Sequence, residues 1–197
     1  MFAYCANNPV NCVDPTGEFG WWIIIPLIII PLLSGCGNNE EDSEYPGQAN
    51  CYAYALGLKT DPSTGKAFRS LPNPGIFAEN PLEVGELYGD PEVKELILID
   101  KISADAERLG YYFDEVSSAD YQPTEGNWLI AVAIDPTNGG YHFFKRGSDG
   151  MWSHKPGASS VRYTDDSGKP ITDPQFRSLD RYEYFVGYFE IGPTKGG

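Results

Sequence analysis

The sequence predicts an α+β domain, because two capped helical segments come first and five strand-like segments come after them, with the change of hydrophobic period falling near Gly110. In the first helix Asn50 reads as the cap, Cys51, Tyr52 and Ala53 as the opening residues, and Gly57 as the stop. Residues 60–81, rich in Pro, Gly, Asn and Ser, read as a long ordered loop. Asp90 caps the second helix with Pro91 in its first turn, and Val93, Leu96, Ile97, Ile99, Ile102 and Leu109 form its predicted apolar side. Strands are predicted at residues 111–116, 128–134, 141–146, 151–155 and 184–191, each aromatic or β-branched and bounded by turn residues.

Composition limits what such a domain does. With 197 residues, the chain suits one compact domain behind a leader. Thirteen tyrosines, ten phenylalanines and four tryptophans supply a core. The net charge of -14 repels phosphates and anionic lipid, so nucleic acid is not an expected partner. Cys5, Cys12 and Cys36 fall in the leader and only Cys51 in the domain, which argues against a disulfide scaffold. No CxxC or Cys/His cluster has metal-ligand spacing, so neither a metal nor a cofactor is expected.

The chain divides into four segments: 1–17, a hydrophobic and acidic stretch at 18–47, the domain at 48–192 and a tail at 193–197. Residues 21–33, "WWIIIPLIIIPLL", are too short to span a bilayer comfortably and carry Pro26 and Pro31. They lead into Leu33-Ser34-Gly35-Cys36, which looks like a lipobox with Cys36 as the lipidated residue. A signal peptide, however, needs a basic start, and no Lys or Arg precedes Lys59. The alternatives are a membrane-active stretch or a plug inside a larger shell.

The two histidines, His142 and His154, lie in one predicted hairpin. Gly147-Ser148-Asp149-Gly150 reads as a type I turn with a bulge at Gly150, placing Gly147 opposite Met151 and Phe144 opposite His154. His142 then shares a sheet face with His154, about 7–8 Å away at the backbone. A cysteine at a helix start favours its thiolate, an imidazole nearby exchanges its proton, and a further polar residue orients that imidazole. Cys51, His142 and His154 are thus the candidate residues for such chemistry. The Cys51 N–H, with Gln48 or Asn50, is the candidate oxyanion hole. Each has a plainer reading: a lone cysteine in an alanine-rich helix is commonly a small buried hydrophobe, and a polar residue at a helix start is commonly a cap.

Two resemblances add expectations. Tyr4, Asn7, Asn8, Pro9, Val10, Asp14, Pro15 and Gly17 resemble the closing segment of Rhs or YD-repeat core proteins, although Cys12 stands where that family has tyrosine. The resemblance implies that the chain beyond Gly17 is a secreted or surface-delivered, toxin-like C-terminal effector with an immunity partner. The order Cys51, His142, His154 resembles papain-like enzymes of the NlpC type. The resemblance implies Cys51 as nucleophile, His142 as base and acid and His154 as orienting residue, in a papain-like α+β fold with a thiol hydrolase or acyltransferase activity on amide bonds of a protein or peptide-like substrate. A DGxDCSG-like stretch is absent, with "GQANCYAYALG" in its place. The reading from a different class is a non-enzymatic surface module anchored as a lipoprotein through Cys36, with membrane contact through 21–33.

Overall fold

A computed structural model describes residues 45–194 apart from Val84 and Asp180. The Rhs-like segment, the apolar run 21–33 and Cys36 therefore lie outside the described residues. Within them, helix α1 covers Cys51–Ala55, α2 covers Pro91–Leu109, and five strands come next: β1 Tyr111–Val116, β2 Trp128–Asp135, β3 Gly140–Arg146, β4 Trp152–His154 and β5 Tyr184–Pro193. The strands form one antiparallel sheet in the order β1-β5-β2-β3-β4.

This corrects the papain-like α+β expectation. The described chain is mostly antiparallel sheet, and the helix that carries the cysteine has five residues, fewer than two turns. Gly57, at φ +69, turns the chain away immediately after it. The physical reason is local: nothing between Gly57 and Asp90 has helical periodicity, so no long cysteine-bearing helix forms to rest on the sheet.

Both helix starts are built as their residues dictate. The Asn50 side chain accepts from the Tyr52 and Ala53 N–H groups, and Asp90 accepts from Glu92 with Pro91 in the first turn. Gly110, left-handed at φ 70, closes α2. The buried face of α2 differs from the predicted one. It consists of Leu98, Lys101, Ile102, Asp105 and Ala106, whereas Val93 and Leu96 are exposed. Lys101 and Asp105 are held by partners distant in sequence: Lys101 Nζ donates to Asn80 at 2.9 Å, and Asp105 receives three hydrogen bonds from α1 and the 73–80 loop. Hydropathy carries no trace of such partners.

The sheet is covered on both sides. Ile130, Val132, Ile134, Phe143, Phe189 and Ile191 point to α1 and α2, packing with Tyr52, Leu56, Leu98 and Ile102. Leu129, Ala131, Phe144, Trp152 and Tyr188 point the other way, beneath Ala119 and Ile171. A third cluster, Tyr45, Ala49, Ala53, Tyr54, Phe68 and Val161, closes the β4 side, where the Tyr54 and Ser153 hydroxyls bond at 2.7 Å. Among the described residues no helix is long and apolar enough to cross a membrane.

Candidate active site

The hairpin register determines where the imidazoles go. Gly147 N–H donates to Met151 O, Gly150 has φ 82, and Phe144 pairs with His154, as the three-residue loop requires. His142 and His154 therefore share the face opposite the helices. His142 Nε2 and His154 Nδ1 lie 2.7 Å apart, and His154 Nε2 is 3.1 Å from the Thr164 carbonyl oxygen.

That chain of contacts assigns the protons. A carbonyl only accepts, so His154 Nε2 carries a hydrogen and donates to Thr164. Burial holds both imidazoles below their ordinary range, His142 well below it, with the His154 ring and the Arg177 guanidinium adding to the effect on His142. In neutral His154 the Nδ1 atom is then an acceptor, and His142 Nε2 must donate to it. The lone pair of His142 is left on Nδ1, the nitrogen nearest its own backbone, as a base without a proton.

Cys51 approaches from the helix side. Because Gly147 N–H points at β4, the two-residue alternation points the Lys145 and Phe143 N–H groups the same way. But β4 ends at His154, one residue short of a partner for Phe143. Cys51 is buried in the helix-side cluster with Tyr52, Leu56 and Phe143, where the backbone N–H groups of Phe143 and Tyr52 act on its thiol. The expected thiolate does not result: burial pushes the Cys51 thiol up to about 12, outweighing the opposing effect of nearby backbone N–H groups. At neutral pH the site holds a thiol and a neutral imidazole.

The remaining candidates separate. Asn50 is buried and engaged, its carbonyl oxygen on the first turn of α1 and its amide on the Pro72 carbonyl at 2.8 Å. Gln48 is exposed, with its backbone N–H bonded to Phe68. Two residues that sequence reasoning does not single out complete the surroundings. Tyr182 stacks on His142 at 4.9 Å with an interplanar angle of 24°, and its hydroxyl is raised by burial and then by nearby Cys51. The Arg177 guanidinium lies 5.3 Å over Phe144, whose ring in turn stacks on His154. Neither residue has a motif or a spacing that signals this position. A cavity of about 460 Å³ opens on His142, His154 and Tyr182. A larger one, about 770 Å³, runs along residues 61–79 to Arg108 and Leu109 and touches none of the three candidate catalytic residues.

These ionisations set a pH profile for stability. Imidazoles kept neutral in the fold take up a proton on unfolding once the pH falls below about 6.5. Each therefore lowers stability on acidification, by at most about 1.4 kcal/mol per pH unit. At the other end, the unfolded thiol ionises above about 9 while the folded one does not, so stability also falls as pH rises past that point. Urea midpoints measured across pH should form a plateau between these limits, and His142→Gln should flatten the acid limb. An acid limb of unchanged slope would contradict the buried neutral assignment.

Comparison with known proteins gives little further. No family model matches the chain, and no solved structure matches it. Over 65 residues it is 45% identical to "Insoluble matrix shell protein 1" of Ruditapes philippinarum, a stretch amounting to 33% of this chain and 43% of that protein. The match thus spans less than half the length of that relative.

Proposed function

We propose that the domain is a thiol-dependent hydrolase or acyltransferase acting on amide bonds, the effector portion of an Rhs-type secreted protein. The observation that carries this reading is the Thr164–His154–His142 hydrogen-bond chain, which leaves an unprotonated Nδ1 on His142, the neighbour in β3 of Phe143, which shares a buried cluster with Cys51. A buried pair of histidines so arranged exceeds what sheet packing needs, and a polar relay of this kind is what a general base requires.

In this mechanism His142 Nδ1 takes the Cys51 proton as the sulfur attacks the carbonyl carbon. The C–S bond forms, the carbonyl π electrons move to oxygen, and the tetrahedral adduct collapses with loss of the C–N bond. His142 returns the proton to the departing amine. Water or a second amine, deprotonated by the same nitrogen, then resolves the thioester. Tyr182 lies flat on the base and must leave room for a substrate.

The experiment is alkylation with iodoacetamide at neutral pH, followed by peptide mapping. Cys51 in the folded protein should react faster than Cys51 in the urea-denatured chain, despite its burial. Reaction no faster than in the denatured chain would sink the enzyme reading.

The shell-matrix relative supports a secreted, extracellular product, and it also favours a second reading. In that reading the domain is a non-enzymatic extracellular module, with Cys51 as a buried packing residue and Cys36 as its lipid anchor. Incorporation of labelled palmitate at Cys36, together with an inert Cys51, would select it.

A further inference from the structure

We propose that the cavity against the two imidazoles is a binding site for a ligand bearing a single carboxylate, held at its rim by Arg162 and Arg181. As a substrate assignment this rests on the amide-hydrolase reading; as a binding site it stands without it.

Positive charge gathers here against the balance of the whole chain. The protein carries -14 overall, yet the wall of this cavity brings together Arg162 and Arg181 with Asp166 as its one acid, beside the neutral His142 and His154. A third cation stands behind the wall: Arg177 donates to the Tyr182 carbonyl at 2.6 Å, and its buried Nε has no hydrogen-bond partner. Local positive charge on a strongly acidic protein attracts an anion to this place and away from the rest of the surface.

The shape refines the class. Both imidazoles are buried, 3% and 2% exposed, and form a floor with the Tyr182 ring, whereas the arginines are exposed at the rim. A neutral aromatic floor suits the flat body of an amide-linked residue, and guanidinium groups bind planar carboxylates through paired N–H donors. A cavity of about 460 Å³ is in the ordinary range for a small ligand. Asp166 at the rim opposes a second negative charge, which favours a monoanion over a phosphate dianion.

The test is a titration of the full chain followed through imidazole NMR resonances, unambiguous because the chain has two histidines and both line the cavity. The probes are N-acetylglycine, its neutral analogue N-acetylglycinamide, and inorganic phosphate. N-acetylglycine should bind saturably and at least about tenfold tighter than the amide, and the double substitution Arg162→Gln/Arg181→Gln should weaken it by about tenfold or more. Cys51→Ser should bind it like the unsubstituted protein, so that inert thiol chemistry and a failed binding site give different results. The proposal is overturned if N-acetylglycine fails to saturate, if the amide binds equally well, if phosphate binds more tightly, or if the double substitution changes nothing.

Discussion

Replacing Asp105 with alanine is expected to destabilise the folded protein by about 3–5 kcal/mol, seen as a lower urea midpoint at unchanged slope. Asp105 is fully buried on α2 and accepts from the Tyr52 hydroxyl, the Gly75 N–H and the Ala78 N–H, each at 2.7 Å. Alanine would leave three donors inside the protein without an acceptor, and an unmet buried donor costs about 1–3 kcal/mol. The loss is compounded because the three donors come from different elements. Tyr52 belongs to α1, and Gly75 and Ala78 belong to the loop that α2 otherwise holds through the Lys101–Asn80 hydrogen bond. Gly75 has no freedom to adjust: at φ +86 a Cβ there would meet the Asn80 carbonyl oxygen at 2.1 Å. Asp105→Asn keeps one acceptor and should fall between the two. A loss under about 1 kcal/mol for alanine would mean that water replaces the carboxylate.

Substituting His142 with alanine should slow iodoacetamide labelling of Cys51 by about 10²–10⁴-fold at neutral pH, the range a general base supplies. With its thiol held near 12, Cys51 ionises unaided in only about one molecule in 10⁵ at pH 7. A base must therefore share the proton if the sulfur is to react. His154→Phe tests the same relay one step away. It removes the acceptor of His142 Nε2 and frees the base to take the wrong tautomer, so a loss of about tenfold is expected, with the denaturation midpoint measured alongside to separate packing from proton transfer. Equal labelling rates in the His142→Ala protein and the unsubstituted one would remove the base from the mechanism.

The features legible in the sequence are local ones. Asn50, Asp90, Pro91 and Gly110 announce the two helices, because caps act on their own neighbours. The "KRGSDGM" turn carries the hairpin register, and with it the facing of both imidazoles, since turn length alone decides which side chains share a face. The fold class is not legible, and the papain-like expectation fails, because the order of cysteine and histidines along a chain does not specify how much helix surrounds them; α1 stops after Ala55. Nor is the buried face of α2, because Lys101 and Asp105 look solvent-facing until Asn80, Tyr52 and the 75–78 backbone are brought to them. The state of the cysteine escapes for a related reason. Nearness to N–H groups is visible in the sequence, whereas depth of burial, which outweighs them, depends on the whole packed domain.

The shortness of β4 binds architecture to chemistry. Were the strand one residue longer, the Lys155 carbonyl would claim the Phe143 N–H. The ladder between β3 and β4 thus stops one pair short of Phe143, beside His142. A longer β4 would close that edge of β3, so the length of this one strand sets what can approach the sheet there.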